Sequence, residues 1–274
     1  MPVLTLTSDI GQNDYIVGAI KGQLVSADAS CNIVDITHHL SPYNYQQTAY
    51  ICRNAYKHYP AGSFHILIVN LFESNPAQLL IAEYNQQYII CPDNGILTMI
   101  TGNKPTNMVA VKLPLAKGPD TLQFTQLIAQ SIAQLSAGKA LQFVGEPVTD
   151  IEEKYPLRAT IGPDWMEGQI IFIDNFENVV VNITRDEFTE QRKGRNFTIV
   201  FVRNEVINHI SDNYAAASAG EKLAWFNSAG YLEIAINKGN MAGLFGLQGF
   251  SDNIQQNAAQ QNKQFYQTVR VYFG

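Results

Sequence analysis

The stretch VLTLTSDIGQND, residues 3 to 14, places two carboxylates where an apolar run breaks off. Asp9 stands at the carboxyl end of the run behind Ser8, Gly11 turns the chain, and Asp14 leads into a helical pattern. A carboxylate placed like Asp9 can accept both hydroxyls of a ribose diol through charge-assisted hydrogen bonds. The same residue type at a strand end also caps the next helix by accepting its first free N–H groups. Taken alone, this stretch leaves both readings open. In doubly wound sheets, however, ligands sit outside the carboxyl ends of the strands, where the SDIGQND loop lies.

The remaining chemistry-bearing residue types are scattered. His38 and His39 follow a second strand-like run but have no Cys or Glu cluster beside them, so no metal site is expected. His65 lies in the apolar run SFHILIVNLF and reads as a satisfied core histidine. Cys31, Cys52 and Cys91 lack CxxC or Cys/His metal spacing and are expected to be packed free thiols.

The elements that must hold these residues follow from periodicity. PVLTLTS, CNIVDITH and SFHILIVNLF read as strands, while DYIVGAIKGQLVSA and YNYQQTAYICRNAYKHY read as helices between them. That βαβαβ order implies a parallel sheet with right-handed crossovers. LLIAEYNQQYIICPDNG reads as a hairpin turning at Asn85-Gln86, and TLQFTQLIAQSIAQLSAG as a helix closed by Gly138. From Gly168 the pattern changes to short strands with polar turns: GQIIFID, NVVVNIT, RNFTIVFV, LAWFNSAGYLEIAIN and FYQTVRVYF. This spacing predicts an antiparallel barrel or sandwich. The expected organisation is an α/β N-terminal domain over 1–155, with a mainly parallel Rossmann-like sheet, and a β domain over 165–274. The Gln/Asn-rich segment 248–264 is expected to be an exposed loop or surface helix.

Composition excludes some functions. A net charge of -6 and an isoelectric point near 5.3 leave no basic stripe for nucleic acid. The start, MPVLTLTSD, lacks a cationic leader, and no apolar run approaches the roughly 18–20 residues that span a bilayer. A cytoplasmic protein without a membrane partner is expected.

LTSDIGQNDYIVGAIKG, IVDITHHLSPYNYQQTAYICRNAYKHYPAGSFHILIV, CPDNGILTMI, IDNFENVVVNI and FNSAGYLEIAINKGN occur in the order seen in the S-adenosyl-L-methionine hydroxide adenosyltransferase family. That family is related to the fluorinase and chlorinase, and the resemblance covers nearly the whole chain. It implies an α/β N-terminal domain, a C-terminal β-barrel and a homotrimer with sites between neighbouring subunits.

The resemblance also implies roles by position. It assigns Asp9 to the ribose hydroxyls, Asp14 to the methionine end, and Tyr43 to an aromatic flanking the ligand. Asp174 matches the acceptor of the methionine ammonium, Asn178 the reader of the adenine edge, and Tyr214 the aromatic stacked on adenine. Asn227 and Ser228 match the loop holding the amino-acid end, and Phe176 lies among the substrate-binding positions. Singly, each has a plainer reading: DNFEN as an Asx turn, the tyrosines as half-buried side chains, and the Asn-Ser-Ala-Gly run as a hairpin loop. Jointly, the site reading prevails.

The implied chemistry is in-line attack at C5′ of an adenosyl sulfonium, with S-adenosyl-L-methionine as substrate and no separate cofactor or metal. Attack expels a neutral thioether, so alignment and desolvation of the nucleophile carry most of the catalysis. Hydrolytic members activate water with an Asp, an Arg and a His. This chain reads VNLFESNPAQ and TLQFTQ at those places, which puts Asn70 at the Asp, Ala77 or Gln78 at the Arg, and Gln123 at the His. Phe124 stands where the fluorinase has a hydroxyl. An amide can hold a water but cannot take its proton at neutral pH. Two readings follow: a hydrolase forming adenosine and methionine with a relocated base such as Glu73 or Asp120, or a catalytically weakened adenosyl-binding sensor or structural protein.

Overall fold

Residues 3–8 are buried along nearly their whole length, as befits a strand covered on both faces of a parallel sheet. In the computed structural model, which describes residues 2–73, 78–112, 120–202, 205–249 and 267–274, they form β1 (Val3–Ser8). The chain forms two compact units, Met1–Pro156 and Leu157–Gly274.

In the first unit β1 is followed by α1 (Ile16–Ala27), β2 (Asn32–Thr37), α2 (Tyr45–Tyr56) and β3 (Phe64–Ile68). Next come β4 (Gln78–Tyr84), β5 (Gln87–Pro92), α3 (Ile96–Thr101), β6 (Met108–Lys112), α4 (Thr121–Ser136) and β7 (Glu146–Pro147). The sheet order is β2-β1-β3-β5-β4-β6-β7; β2, β1, β3 and β5 run parallel, and the remaining pairings are antiparallel. Alternate strand residues feed two cores. Leu4, Leu6, Ile66 and Ile68 meet Val17, Ile20 and Leu24 of α1 and Phe124, Ile128 and Ile132 of α4. Leu67, Leu80 and Ile89 meet Ala49, Cys52 and Tyr56 of α2 and residues of α3 on the other face. The expected βαβαβ layout is therefore present, with helices on both faces of the sheet.

Two turns follow their sequence signals. Asn85 and Gln86 carry φ of 51° and 62°, the left-handed pair that a two-residue type I′ hairpin needs between β4 and β5. Gly138, at φ 87°, lies just beyond the end of α4, where a side chain would be strained.

The second unit contains β8 (Thr160–Ile161), β9 (Trp165–Ile173), β10 (Val179–Thr184), α5 (Arg185–Arg192), β11 (Phe197–Val202) and β12 (Glu205–Ile207). It continues with β13 (Lys222–Phe226), β14 (Tyr231–Ile236), α6 (Met241–Phe245) and β15 (Thr268–Phe273). All pairings are antiparallel, in the order β12-β11-β15-β9-β10-β14-β13, with β8 beside β9. Lys222 on β13 pairs with Glu205 on β12, joining the two end strands and nearly closing a barrel around Met166, Val181, Ile199, Ile234 and Val271. Of the two architectures the strand spacing allowed, the barrel is the one formed.

The helix α5 departs from the expected strand-only pattern. Its start is a capping box, in which the Thr184 hydroxyl accepts the Glu187 N–H while the Glu187 carboxylate receives the Thr184 N–H. The TRDE signal was in the sequence, hidden between two apolar strand runs. Residues 250–266, most of the Gln/Asn-rich segment, lie outside the described residues, as does Ala77.

Candidate functional site

In the first unit, β1 connects to β2 on one side while β3 lies on its other side, so the carboxyl ends of β1 and β3 flank the topological switch point. Asp9 leaves β1 there, its N–H donating to the Ile68 carbonyl at 3.2 Å. The loop after it is pinned from β2: Ser8 Oγ bonds buried His38 Nδ1 at 2.8 Å, and the Gly11 N–H donates to the His38 carbonyl at 2.7 Å.

The Asp9 carboxylate accepts the Asn70 N–H at 2.8 Å. Burial raises the Asp9 carboxyl above its usual range, while this N–H opposes the shift by favouring the charged form. Asn70 sits in the left-handed region at φ 47°, a conformation asparagine tolerates better than most residues. Asn94 holds it there by donating from Nδ2 to the Val69 and Asn70 carbonyls, each at 3.0 Å.

The Asn70 side chain extends this network. Its Nδ2 donates to Glu73 Oε2 at 2.9 Å and to the Tyr45 hydroxyl at 3.2 Å, and the Tyr45 hydroxyl donates to the same Glu73 oxygen. Lys154 Nζ lies 3.1 Å from Glu73 Oε1, donates to the Asn94 carbonyl at 2.9 Å, and sits 4.3 Å from the centre of the Tyr45 ring. Burial, followed by the Glu73 carboxylate, pushes the Tyr45 phenol well above its ordinary value, so it remains a donor. Asp9 and Asn70 are thus brought together; Tyr45, Asn94 and Lys154 are members that sequence reasoning missed. Asn94 lies in CPDNG, directly beside a buried Asp, which was the available signal.

The other candidates of this unit stand apart from that network. Gln78 donates from Nε2 to Asp93 Oδ2 at 2.5 Å, and Asp93 Oδ1 takes the Glu152 N–H at 2.9 Å. Gln123 is exposed and completes a capping box with Asp120: its N–H donates to Asp120 Oδ1 at 2.8 Å, and its Oε1 accepts the Asp120 N–H at 3.3 Å. Phe124 is fully buried in the core. Asp14 is exposed just ahead of α1, with its carboxylate on the Tyr15 N–H at 2.5 Å, and Tyr43 is exposed in the loop before α2.

In the second unit four candidates share one network. Asp174 Oδ1 accepts the N–H groups of Phe176 and Asn178, each at 2.8 Å, which shapes the DNFEN turn between β9 and β10. Asn178 Nδ2 donates to Asp174 Oδ2 at 3.0 Å and reaches the Tyr214 hydroxyl at 3.3 Å. Tyr214 donates to Glu233, whose carboxylate also takes Trp225 Nε1 at 2.9 Å and Asn227 Nδ2 at 3.2 Å. The Tyr214 and Trp225 rings lie 4.7 Å apart at 57°. Asn227 Oδ1 accepts the Ala229 and Tyr231 N–H groups at 3.0 and 3.2 Å. The side chains of Phe176 and Ser228 are exposed. Its centre, Glu233, went unnoticed in the sequence, although a carboxylate inside the apolar strand YLEIAI was a visible anomaly.

Among the described residues no group of three or more His, Cys, Asp or Glu is arranged to hold a metal ion, and no helix is long and apolar enough to cross a membrane. The three cysteines are free thiols.

Residues 4–145 match the SAM hydroxide adenosyltransferase N-terminal domain, and residues 168–252 match its C-terminal domain. The chain is 24% identical over 243 residues to an (R)-S-adenosyl-L-methionine hydrolase of Methanocaldococcus jannaschii, covering 86% of this chain and 88% of that one. It is 25% identical over 252 residues to a protein of the same name from Thermus thermophilus, covering 88% and 94%. A fluorinase of Actinopolyspora mzabensis is 24% identical over 276 residues, covering 88% and 92%. The crystal structure of a conserved Thermotoga maritima protein superposes with a TM-score of 0.78 at 20% identity, covering 98% and 99%. Because the two family domains together span well over half of its residues, the chain belongs to the SAM hydroxide adenosyltransferase family.

Proposed function

We propose that the protein transfers the adenosyl group of S-adenosyl-L-methionine to water, releasing adenosine and L-methionine. The observation that carries this reading is Asp9, a half-buried carboxylate at the β1/β3 switch point, held by the Asn70 N–H at 2.8 Å. A carboxylate there suits a ribose diol. The relatives named as hydrolases supply the reaction class.

On this reading Asp174, Asn178, Tyr214 and Asn227 form a polar and aromatic surface suited to an adenine edge and an amino-acid headgroup, with Phe176 and Ser228 at its margin. Asp14 and Tyr43 serve the ligand from exposed loops of the first unit. The reaction needs no cofactor beyond its substrate, and the assembly is a homotrimer with sites between neighbouring subunits. The α/β domain ends near residue 155, and the β domain follows it with β8 (Thr160–Ile161) ahead of the expected start at 165.

A second reading, an adenosyl-binding protein without turnover, is favoured by the neutral side chains of Asn70 and Gln123 and by the use of Gln123 as a helix cap. Incubation with S-adenosyl-L-methionine, chromatography for adenosine and methionine, and calorimetry with adenosine separate the two. Product accumulation supports the enzyme, whereas binding without product supports the second reading.

A further inference from the structure

The proton of the attacking water needs an acceptor, and neither Asn70 nor Gln123 can take it. A carboxylate and a cation nevertheless stand at the Asn70 side chain. The Glu73 carboxylate lies within hydrogen-bond distance of the Asn70 side chain, and Lys154 Nζ lies 3.1 Å from Glu73, contributed from 81 residues further along the chain. We infer that Glu73 is the general base of the adenosyl transfer and that Lys154 is the positioning cation that holds its carboxylate in place. The inference rests on the hydrolase reading above and names the group that makes water reactive.

Three donors orient the Glu73 carboxylate: Asn70 Nδ2, the Tyr45 hydroxyl and Lys154 Nζ. An ionised carboxylate has about four acceptor positions, so a water can take the remaining one. The side chain is 39% exposed, which lets water reach it. Glu73 is joined to the proposed ribose anchor through a single residue, because the Asn70 N–H holds Asp9 while the Asn70 side chain holds Glu73. In the step itself the water oxygen bonds C5′ and one water proton passes to Glu73. The C5′–S bond breaks with its electron pair on sulfur, which becomes the neutral thioether of methionine. Glu73 then releases the proton to solvent. Tyr45, Lys154 and, through Asn70, Asp9 are the titratable groups around it.

The test compares the wild-type protein with Glu73→Gln, Glu73→Ala, Lys154→Met and Lys154→Arg for adenosine formation, with adenosine affinity measured in parallel. Glu73→Gln is expected to slow product formation by about 10²- to 10⁴-fold, the usual worth of a placed base, and to leave adenosine affinity within about twofold. Added formate should restore part of the rate to Glu73→Ala. Lys154→Met should lower the rate of adenosine formation while adenosine affinity stays within about twofold, and Lys154→Arg should restore most of that rate. An active wild type with Glu73→Gln within about threefold of it overturns this assignment alone. A wild type that forms no adenosine overturns the hydrolase reading and this assignment with it. Should the variants fail to fold, the wild-type profile decides: a rate that stays flat into the acid range, where a carboxylate must protonate, rules Glu73 out.

Discussion

The Tyr214 hydroxyl donates to the carboxylate of Glu233, a residue only 4% exposed and without a cation partner in the described network. Burial, with the carboxylate second, drives the Tyr214 phenol well above its ordinary range. The hydroxyl therefore stays protonated and keeps donating, while Trp225 and Asn227 complete the coordination of Glu233. An uncompensated buried carboxylate is costly unless such donors surround it.

Glu233→Ala removes the acceptor of all three donors at once. It is expected to lower stability by about 2–3 kcal/mol, within the range for losing hydrogen bonds to a charged group, as read by denaturant unfolding. Because the raised Tyr214 value means the folded state keeps its proton longer, stability falls as pH rises above about 10. Tyr214→Phe should flatten that alkaline loss; an unchanged alkaline limb would place the effect elsewhere.

Asp9→Asn keeps the size of the side chain and removes its charge. Adenosine binding should weaken by about 1.5–3 kcal/mol, whereas free adenine should lose far less because it has no ribose diol. Calorimetry with both ligands checks this, and equal losses for the two would assign Asp9 to loop structure alone.

Asn70→Asp sets a carboxylate against Glu73 in place of a donor at 2.9 Å. A loss of about 1–3 kcal/mol is expected, together with no gain in adenosine formation. Thermal melting and product chromatography on the same sample test both parts.

Gln123→Ala breaks one arm of the capping box at the start of α4. Stability should drop by about 0.5–1 kcal/mol, with adenosine formation unchanged. A large loss of rate at unchanged stability would instead place Gln123 in the reaction.

Burial holds the His65 imidazole down to about 4, against a weaker opposing contact from Gln87. Its Nδ1 is bonded to Thr5 Oγ1 at 2.8 Å, and its ring stacks on Tyr56 at 3.8 Å. Between the ordinary value near 6.5 and about 4, the unfolded chain binds the extra proton. Stability is therefore lost as pH falls through that window, by up to about 3 kcal/mol at roughly 1.4 kcal/mol per pH unit. Urea unfolding across the window should show the slope, and His65→Gln should reduce it.

The mainly parallel α/β sheet is legible in the sequence, because strands buried on both faces read as unbroken apolar runs such as SFHILIVNLF. So are the Asn85-Gln86 hairpin, which is set by local turn chemistry, and the strand-end place of Asp9. These features are encoded within a few residues of where they act. Which polar side chains meet is settled by how whole elements pack in three dimensions. Glu73 and Lys154 are 81 residues apart, and Asn178 and Tyr214 are 36 apart. No local periodicity records such meetings: a hydrogen bond depends on a separation of about 3 Å in space, and that separation is fixed by the packing of whole elements.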